Sequence, residues 1–441
     1  MKRILFLLLL FLCKFMGVHS QESRDTIVIK SVEDALEMAR EHNVERAIYD
    51  YQQEKAKKEH QLSKSYLLPT ITGNFSAQNN LKLATTPIPG ELVGQPGELV
   101  NVQFGQDYNY NTGLTATQTV FDWQSNMQSK IAKVGVQVAQ VESELFDEKL
   151  KEQVALYYYT ALISKKAVEI NKKDRSVADS IQELTYQKFN KGLLDRLSLN
   201  QAVINLNNIE QNVWSNQRML EQALTQLSIL LGTNATIVLE GQELMQFDFP
   251  VAGKLSPDKN IELYDQQAEQ SRLNLRQQQA TYLPKLTFVA YFGQQQFQND
   301  FTFSLDGNAW TDYSYLGLNL SFPLFTGLAN RNRTKIAKIE HAIAQKRLED
   351  EKRQSALRDA LLLKEYDLSL YASSSAYDNF MRYRNNASLS LQKYEQGIIS
   401  LDAYFKVFED YLRSENNYLS ALTNVYSYYS TLLSRKNDSE L

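Results

Sequence analysis

Between Tyr313 and Gly327, Leu316, Leu318, Leu320 and Phe322 alternate with Gly317, Asn319 and Ser321, the two-residue period of a strand with one apolar and one polar face. Pro323 interrupts the pattern, and from Leu328 to Gln396 there is neither glycine nor proline, which predicts one long helix. The same succession occurs earlier in the chain. An alternating stretch from about Asn111 to Phe121 precedes a run from Asp122 to Gly192 that only Gly135 interrupts. Two further strands are predicted: Thr70, Thr72, Asn74 and Ser76 alternate with Ile71, Phe75 and Ala77, and Leu286, Phe288, Ala290 and Phe292 with Thr287, Val289 and Tyr291.

These parallels reflect an internal repeat. "YLLPTIT" at Tyr66 recurs as "YLPKLT" at Tyr282, and "GLTATQTVFDW" at Gly113 as "GLNLSFPLFTG" at Gly317. "KIAK" at Lys130 recurs at Lys335, and "QKFNKGLL" at Gln187 as "QKYEQGII" at Gln392. Four matches in one order mark a duplicated unit. Each copy opens with a helix, Ser31 to about Tyr66 or Asp258 to Tyr282, closed by a Leu-Pro step. A strand, a loop, a second strand and a helical hairpin follow. The loops, "TTPIPGELVGQPGE" and "NDFTFSLDGNAW", are rich in turn residues. The predicted division is a first repeat over residues 21–232, with strands near 70–78 and 111–121 and a hairpin over 123–231. A linking belt covers 233–257. The second repeat spans 258–435, with strands near 285–293 and 314–325 and a hairpin over 328–435, and a tail follows at 436–441.

Each long run would extend roughly 100 Å as a helix, and the returning helices, Leu193 to Leu231 and Ile398 to about Arg435, about 60 Å. The opening helices would add roughly 40 to 55 Å. A returning helix stacked on an opening helix therefore matches a long one.

The first twenty residues are set apart from the fold. Lys2 and Arg3, the apolar "ILFLLLLFL" and the small-residue "VHS" are the parts of a secretory signal, leaving Gln21 as the new terminus. Cys13, the only cysteine, lies inside that leader, so no disulfide is expected in the exported chain. The net charge of −4 becomes more negative once the leader's bases are removed, which gives nucleic acid no general reason to bind.

A signal sequence, two-faced strands and no apolar spanning helix together suggest an outer-membrane barrel. So do aromatic residues near the strand ends: Phe75, Phe121, Tyr291, Phe292, Trp310, Tyr313, Tyr315 and Phe325. Four strands cannot close a barrel, so several chains must share one; three copies give twelve strands and four give sixteen. The small face, Gly317, Asn319 and Ser321, would line a lumen. Leu316, Leu318, Leu320 and Phe322 would meet outer-membrane lipid.

The two Leu-Pro strand entries, "FPLFTG" at Phe322, "VFDW" at Val120, the turns at Phe189 to Gly192 and Tyr394 to Gly397, and "SVEDALEMAREHN" at Ser31 resemble the TolC-like outer-membrane efflux proteins. The likeness runs from about Ser31 to Leu433. It implies an α plus membrane β fold: a homotrimer with a twelve-stranded outer-membrane β-barrel, four strands per chain, continued by a twelve-helix periplasmic α-barrel. It also implies partners, a periplasmic adaptor (membrane fusion) protein and an inner-membrane RND pump or ABC exporter. Gly192 with Leu193, and Gly397 with Ile398, match the family's adaptor-docking tip. Where some members narrow the tip with aspartates, this chain has Ser198 in one copy and Asp402 beside Ala403 in the other. These are the candidate aperture residues, and they depart from an acidic, cation-binding pattern.

Enzymatic signatures are missing. No H-E-x-x-H, phosphate loop, G-x-S-x-G or G-x-G-x-x-G occurs, so no cofactor or catalytic residue is expected. His42, His60 and His341 read as solvated surface, as do Glu142, Glu144, Asp147 and Glu148. The tyrosine clusters "LYYYTAL" at Leu156 and "VYSYYSTLL" at Val425 read as helix packing. The expected function is passive conduction of small molecules or unfolded polypeptide. The alternative is a periplasmic coiled-coil scaffold, which sustained heptads along both long runs would favour.

Overall fold

The computed structural model describes residues 26–240 and 255–436. The leader, the tail beyond Lys436 and most of the linking belt lie outside the described residues. Within them the chain forms β1 (Thr26–Ile29), α1 (Val32–His42), α2 (Val44–Leu62), β2 (Thr70–Asn79), β3 (Thr85–Pro89), β4 (Leu99–Gln103), β5 (Tyr108–Phe121), α3 (Trp123–Asn190) and α4 (Arg196–Leu230). There follow β6 (Thr236–Leu239), α5 (Lys259–Ala280), β7 (Lys285–Gln298), β8 (Thr311–Ser321), α6 (Ala329–Glu395) and α7 (Leu401–Ser434). Two compact units result. One comprises residues 49–143 and 258–355, the other residues up to 48, 144–257 and 356–441.

The first unit holds an antiparallel sheet in the order β2-β5-β7-β8. At its centre β5 pairs with β7, from Tyr108↔Gln298 to Phe121↔Leu286, with a bulge between Thr119 and Phe121. Prolines set the sheet's end. Lys285, directly after Pro284, pairs with Ser321, the last residue of β8. Pro323 lies two residues beyond and brings no N–H to a ladder. The strand expected to reach residue 325 therefore stops at Ser321, and Phe322, expected on it, lies just past its end. The loop expected after β2 is in part a hairpin, because β3 and β4 pair from Thr85↔Gln103 to Pro89↔Leu99. The prolines of β3 fit a strand with one unpaired edge.

Beside the sheet, Asp122 caps α3, accepting the N–H groups of Gln124 and Ser125 through Oδ1. Its other oxygen meets Lys285 Nζ at 3.3 Å, which ties the start of α3 to the start of β7. α5 lies against α3 through Leu273, Ile131 and Val134. It also meets α6, where Ser271 Oγ is 3.0 Å from His341 Nδ1, so His341 is tied to a neighbour and not free on the surface.

The second unit is helical. α3 sits between α4 and α7: Arg175 pairs with Glu210 of α4 at 2.9 Å, and Thr431 of α7 donates to Glu152 at 2.6 Å. α7 then packs on α6 through Phe380 with Tyr411 and Tyr418 and through Tyr394 with Tyr404. The order is α4-α3-α7-α6. The two tyrosine clusters serve helix packing, as expected, and they do so against each other, with Tyr159 stacked on Tyr426 at 4.2 Å. Along α7, Tyr404, Phe408, Tyr411, Glu415, Tyr418, Leu422, Val425 and Leu432 are all buried. Up to Val425 the steps alternate between four and three residues, and Leu432 follows one heptad later, so together they form a heptad seam. Asp147, expected on a solvated face, is half-buried and pairs with Arg46 at 2.7 Å.

One short sheet in this unit escaped prediction. β1 and β6 pair in parallel, Thr26↔Thr236 to Ile29↔Leu239, and β6 lies within the region expected to be an irregular belt. Ile29, Ile237 and Leu239 are buried against Ala35, Val154, Tyr158 and Leu227, each large side chain contributing about 1.5–3 kcal/mol. The opening helix, expected to be continuous, breaks between His42 and Asn43. Ser31 caps α1 in a capping box with Asp34, and Asn43 restarts the chain as α2 by accepting the Arg46 N–H at 2.9 Å.

Candidate functional site

Each helical hairpin turns through a C-terminal glycine motif. Gly192 takes φ +73 and Gly397 φ +71, left-handed values that cost glycine little. Gly192 N–H donates to Phe189 O and Leu193 N–H to Lys188 O. Gly397 N–H donates to Tyr394 O and Ile398 N–H to Lys393 O. This pair of bonds is the Schellman pattern at both turns. A cap then starts each returning helix: Asp195 Oδ1 accepts Ser198 N–H at 2.8 Å, and Ser400 Oγ accepts Ala403 N–H at 3.2 Å. The Ser198 bonds hold the Asp195 carboxyl below its ordinary range.

The two turns therefore match residue for residue. Leu194 and Ile399 are partly buried against the hydrophobic cluster that includes Tyr394, Tyr404 and Phe405. Leu193 and Ile398 instead stand 69% and 65% exposed, side by side in sequence with those anchors and free of the core. Lys188 Nζ lies 4.3 Å from the Tyr394 ring, bringing the two turns together. The candidate aperture residues take defined places: Ser198 and Ala403 are the capped third residues of α4 and α7, and Asp402 is exposed beside Ala403. Sequence reasoning missed Asp195, the acid that the first turn does carry, whose signal was its place just ahead of α4.

The sheet separates its faces by register. Leu316, Leu318 and Leu320 lie opposite Ala290, Phe288 and Leu286 of β7. Ala290 in turn faces Ala116, and Leu286 faces Phe121, on β5. Gly317 and Asn319 belong to the other face, opposite Val289 and Thr287, with Ser321 opposite Lys285. That second face continues through Thr117 and Thr119 of β5 and Thr70 of β2. It also carries Tyr291, stacked on Tyr315 at 5.6 Å and tilted against Tyr313 at 5.7 Å. Tyr291 lies over the pair Gly113 and Gly293, where an added Cβ would come within 2.7 Å and 2.5 Å of its hydroxyl. Three of the aromatics expected in a membrane girdle thus share the polar face.

Both units end in unpartnered edges. β2 and β8 are the outer strands, and their backbones have one free side each. In the helical unit α4 and α6 are outermost. Leu357, Leu361, Leu368 and Tyr371 of α6 are exposed, as are Ile204, Trp214 and Ile229 of α4. By helical periodicity they lie opposite the buried rows of their own helices. No helix among the described residues is long and apolar enough to cross a membrane.

The comparisons agree with this geometry. The model of the outer membrane efflux protein family matches residues 36–233 and 258–434, two blocks that meet at the linking belt. The fold is similar to that of the Campylobacter jejuni CmeC outer membrane channel, with TM-score 0.72, 17% identity, and 92% of this chain and 84% of that one covered. It is similar to the outer-membrane channel OprN, with TM-score 0.74, 16% identity and coverage of 92% and 90%. It is also similar to the open state of the Neisseria gonorrhoeae MtrE channel, with TM-score 0.68, 17% identity and coverage of 91% and 88%. No curated protein sequence matches the chain. A family model that covers well over half of the chain is the deciding finding: the chain belongs to the outer membrane efflux protein family.

Proposed function

We propose that three copies of this outer-membrane efflux channel close one twelve-stranded barrel in the outer membrane, continued by a twelve-helix tunnel in its long periplasmic part. The observation that carries this reading is that each layer of the protomer ends in two unpartnered edges. β2 and β8 leave ladder groups unpaired, and α4 and α6 leave apolar stripes uncovered. Unpaired backbone is costly in lipid, and joining β8 of one copy to β2 of the next removes the cost.

In this reading Leu316, Leu318 and Leu320, with Phe322 at the strand's end, face lipid. Gly317, Asn319 and Ser321 line the lumen. Leu193 and Ile398, projected by the Gly192 and Gly397 turns, dock a periplasmic adaptor. Ser198, Asp402 and Ala403 stand near the aperture. The inner-membrane partner is an RND pump or an ABC exporter, and the cargo is small molecules or unfolded polypeptide. The heptad seam does not favour the scaffold alternative. It occupies α7 and the buried row Tyr366, Ser373, Phe380, Ala387 and Tyr394 of α6, and so holds a protomer together rather than binding a partner along the full runs. Detergent extraction followed by planar-bilayer recording tests the channel: a stable trimer that conducts ions is expected, and a dispersed water-soluble monomer would overturn it.

A further inference from the structure

The helical core contains a pair of acids that neither the channel wall nor the tips use. Along α3, Ser164, Ala167, Asn171, Asp174, Ala178, Ile181 and Thr185 are buried at alternating steps of three and four, a row facing inward like the seam of α7. Asp174 is 8% exposed and Glu415, on the α7 seam, 1%. Tyr411 Oη donates to both oxygens of Asp174 at 3.2 Å. Asn171 Nδ2 donates to Glu415 Oε1, and Asn171 Oδ1 accepts from Asn216 of α4 at 2.9 Å. Glu415 Oε2 is buried and has no hydrogen-bond partner among the described residues.

We propose that Asp174 and Glu415 share one proton and together form a latch between α3 and α7 that releases when the proton leaves. No ion pair reaches either carboxyl among the described residues, so two ionised acids here would repel each other in a low-dielectric core. Burial pushes both carboxyls up, and the charge of Asp174 pushes Glu415 up further. Glu415, Tyr411 and Arg384 act the other way on Asp174, and Tyr411 and Asn171 do so on Glu415, whose carboxyl is still left the higher of the two. Asp174 is thus the carboxylate and Glu415 the acid.

The groups facing the pair are few. Among the described residues, α6 supplies Arg384, α7 supplies Tyr411 with Tyr404 nearby, and α3 supplies Asn171, itself held by the neutral Asn216 of α4. Raised acids stabilise the fold fully below their ordinary range near 4.5, and that contribution is lost as pH rises through the raised values. The latch therefore loosens toward alkaline pH. Its consequence for a tunnel, parting one helical hairpin from the other, rests on the channel reading above.

The test uses the full chain purified in detergent. Infrared spectra near pH 7 should contain the carbonyl band of a protonated carboxyl, lost in Glu415→Gln. Amide exchange over residues 171–178 and 411–422, normalised to intrinsic rates, should rise about tenfold from roughly pH 6 to pH 9 in the native protein and stay flat in Glu415→Gln. A native protein without the band, or the same normalised pH response in both proteins, would overturn the latch. Should Glu415→Gln not fold, Asp174→Asn serves: removing the like charge should move the band's loss to lower pH, and an unmoved midpoint would overturn the proposal. Neither readout requires conduction, so failure of the channel reading leaves both intact.

Discussion

Asn43 donates its side-chain Nδ2 to the carbonyl of Leu230 at 2.9 Å while its Oδ1 accepts the N–H of Arg46 at 2.9 Å. One side chain thus finishes α4 and starts α2, so the two helices meet at this residue. Asn43→Ala removes both bonds and should cost about 1–2 kcal/mol. Asn43→Asp keeps the cap and loses only the donor, so thermal unfolding in detergent should place it between the native protein and the alanine variant.

Gly232 ends α4 with the same bond pattern as the tips, Gly232 to Ile229 and Thr233 to Ser228, yet its surroundings differ. A Cβ on Gly232 would lie 2.2 Å from His42 O, whereas one on Gly192 or Gly397 meets nothing within 4 Å. Gly192→Ala and Gly397→Ala should each cost about 1 kcal/mol, the left-handed backbone alone. Gly232→Ala adds a backbone collision and should cost more than either, a ranking that denaturant unfolding reads directly.

Leu328 takes φ 66 directly after Gly327 at φ 60, a conformation that costs a branched side chain about 1 kcal/mol. The residue is exposed, so Leu328→Gly sacrifices little packing. A higher melting temperature is expected for that variant.

The apolar stripes of α4 and α6 yield a prediction about assembly. Trp214 is 73% and Tyr371 79% exposed in the protomer, so Trp214→Asp and Tyr371→Asp leave its own core untouched. Both variants should still fold, with native circular dichroism, but lose most of the trimer in detergent light scattering. Unchanged trimer in both would remove the stripes from the interface.

At the tips, Leu193→Asp with Ile398→Asp alters only exposed positions. Stability and trimer should stay within about 0.5 kcal/mol of native, while export in cells carrying the cognate adaptor and pump should fall to near that of a strain lacking the channel. A double variant that restores export fully would place docking elsewhere.

Much of this architecture was legible because periodicity and glycine placement report local geometry. The alternation at Leu316, Leu318 and Leu320 and the paired turns at Gly192 and Gly397 needed no tertiary knowledge. What escaped depends on partners far along the chain. Thr26–Ile29 and Thr236–Leu239 are too short to stand out as strands, although "TIVI" and "TIVL" pair residue for residue and were a second, unread recurrence. Asn43 looked like any helical asparagine until Leu230 supplied a reason to break there. Glu415 was hidden differently, as a single acid in an aromatic heptad row, and only the row's phase exposes it as buried. Phe322 was misplaced because alternation alone does not register the donor that Pro323 lacks.

The ladder between β5 and β7 has a further consequence, for biogenesis. Tyr108 must find Gln298, so the central pairing of the sheet closes a chain segment far longer than any hairpin, and closure over such separations is slow. Until β7 and β8 emerge from the exporting machinery, β5 has only β2 beside it and its other side is bare. A first half without the second would therefore carry one bare strand side, the kind of exposed edge that pairs with the wrong neighbour.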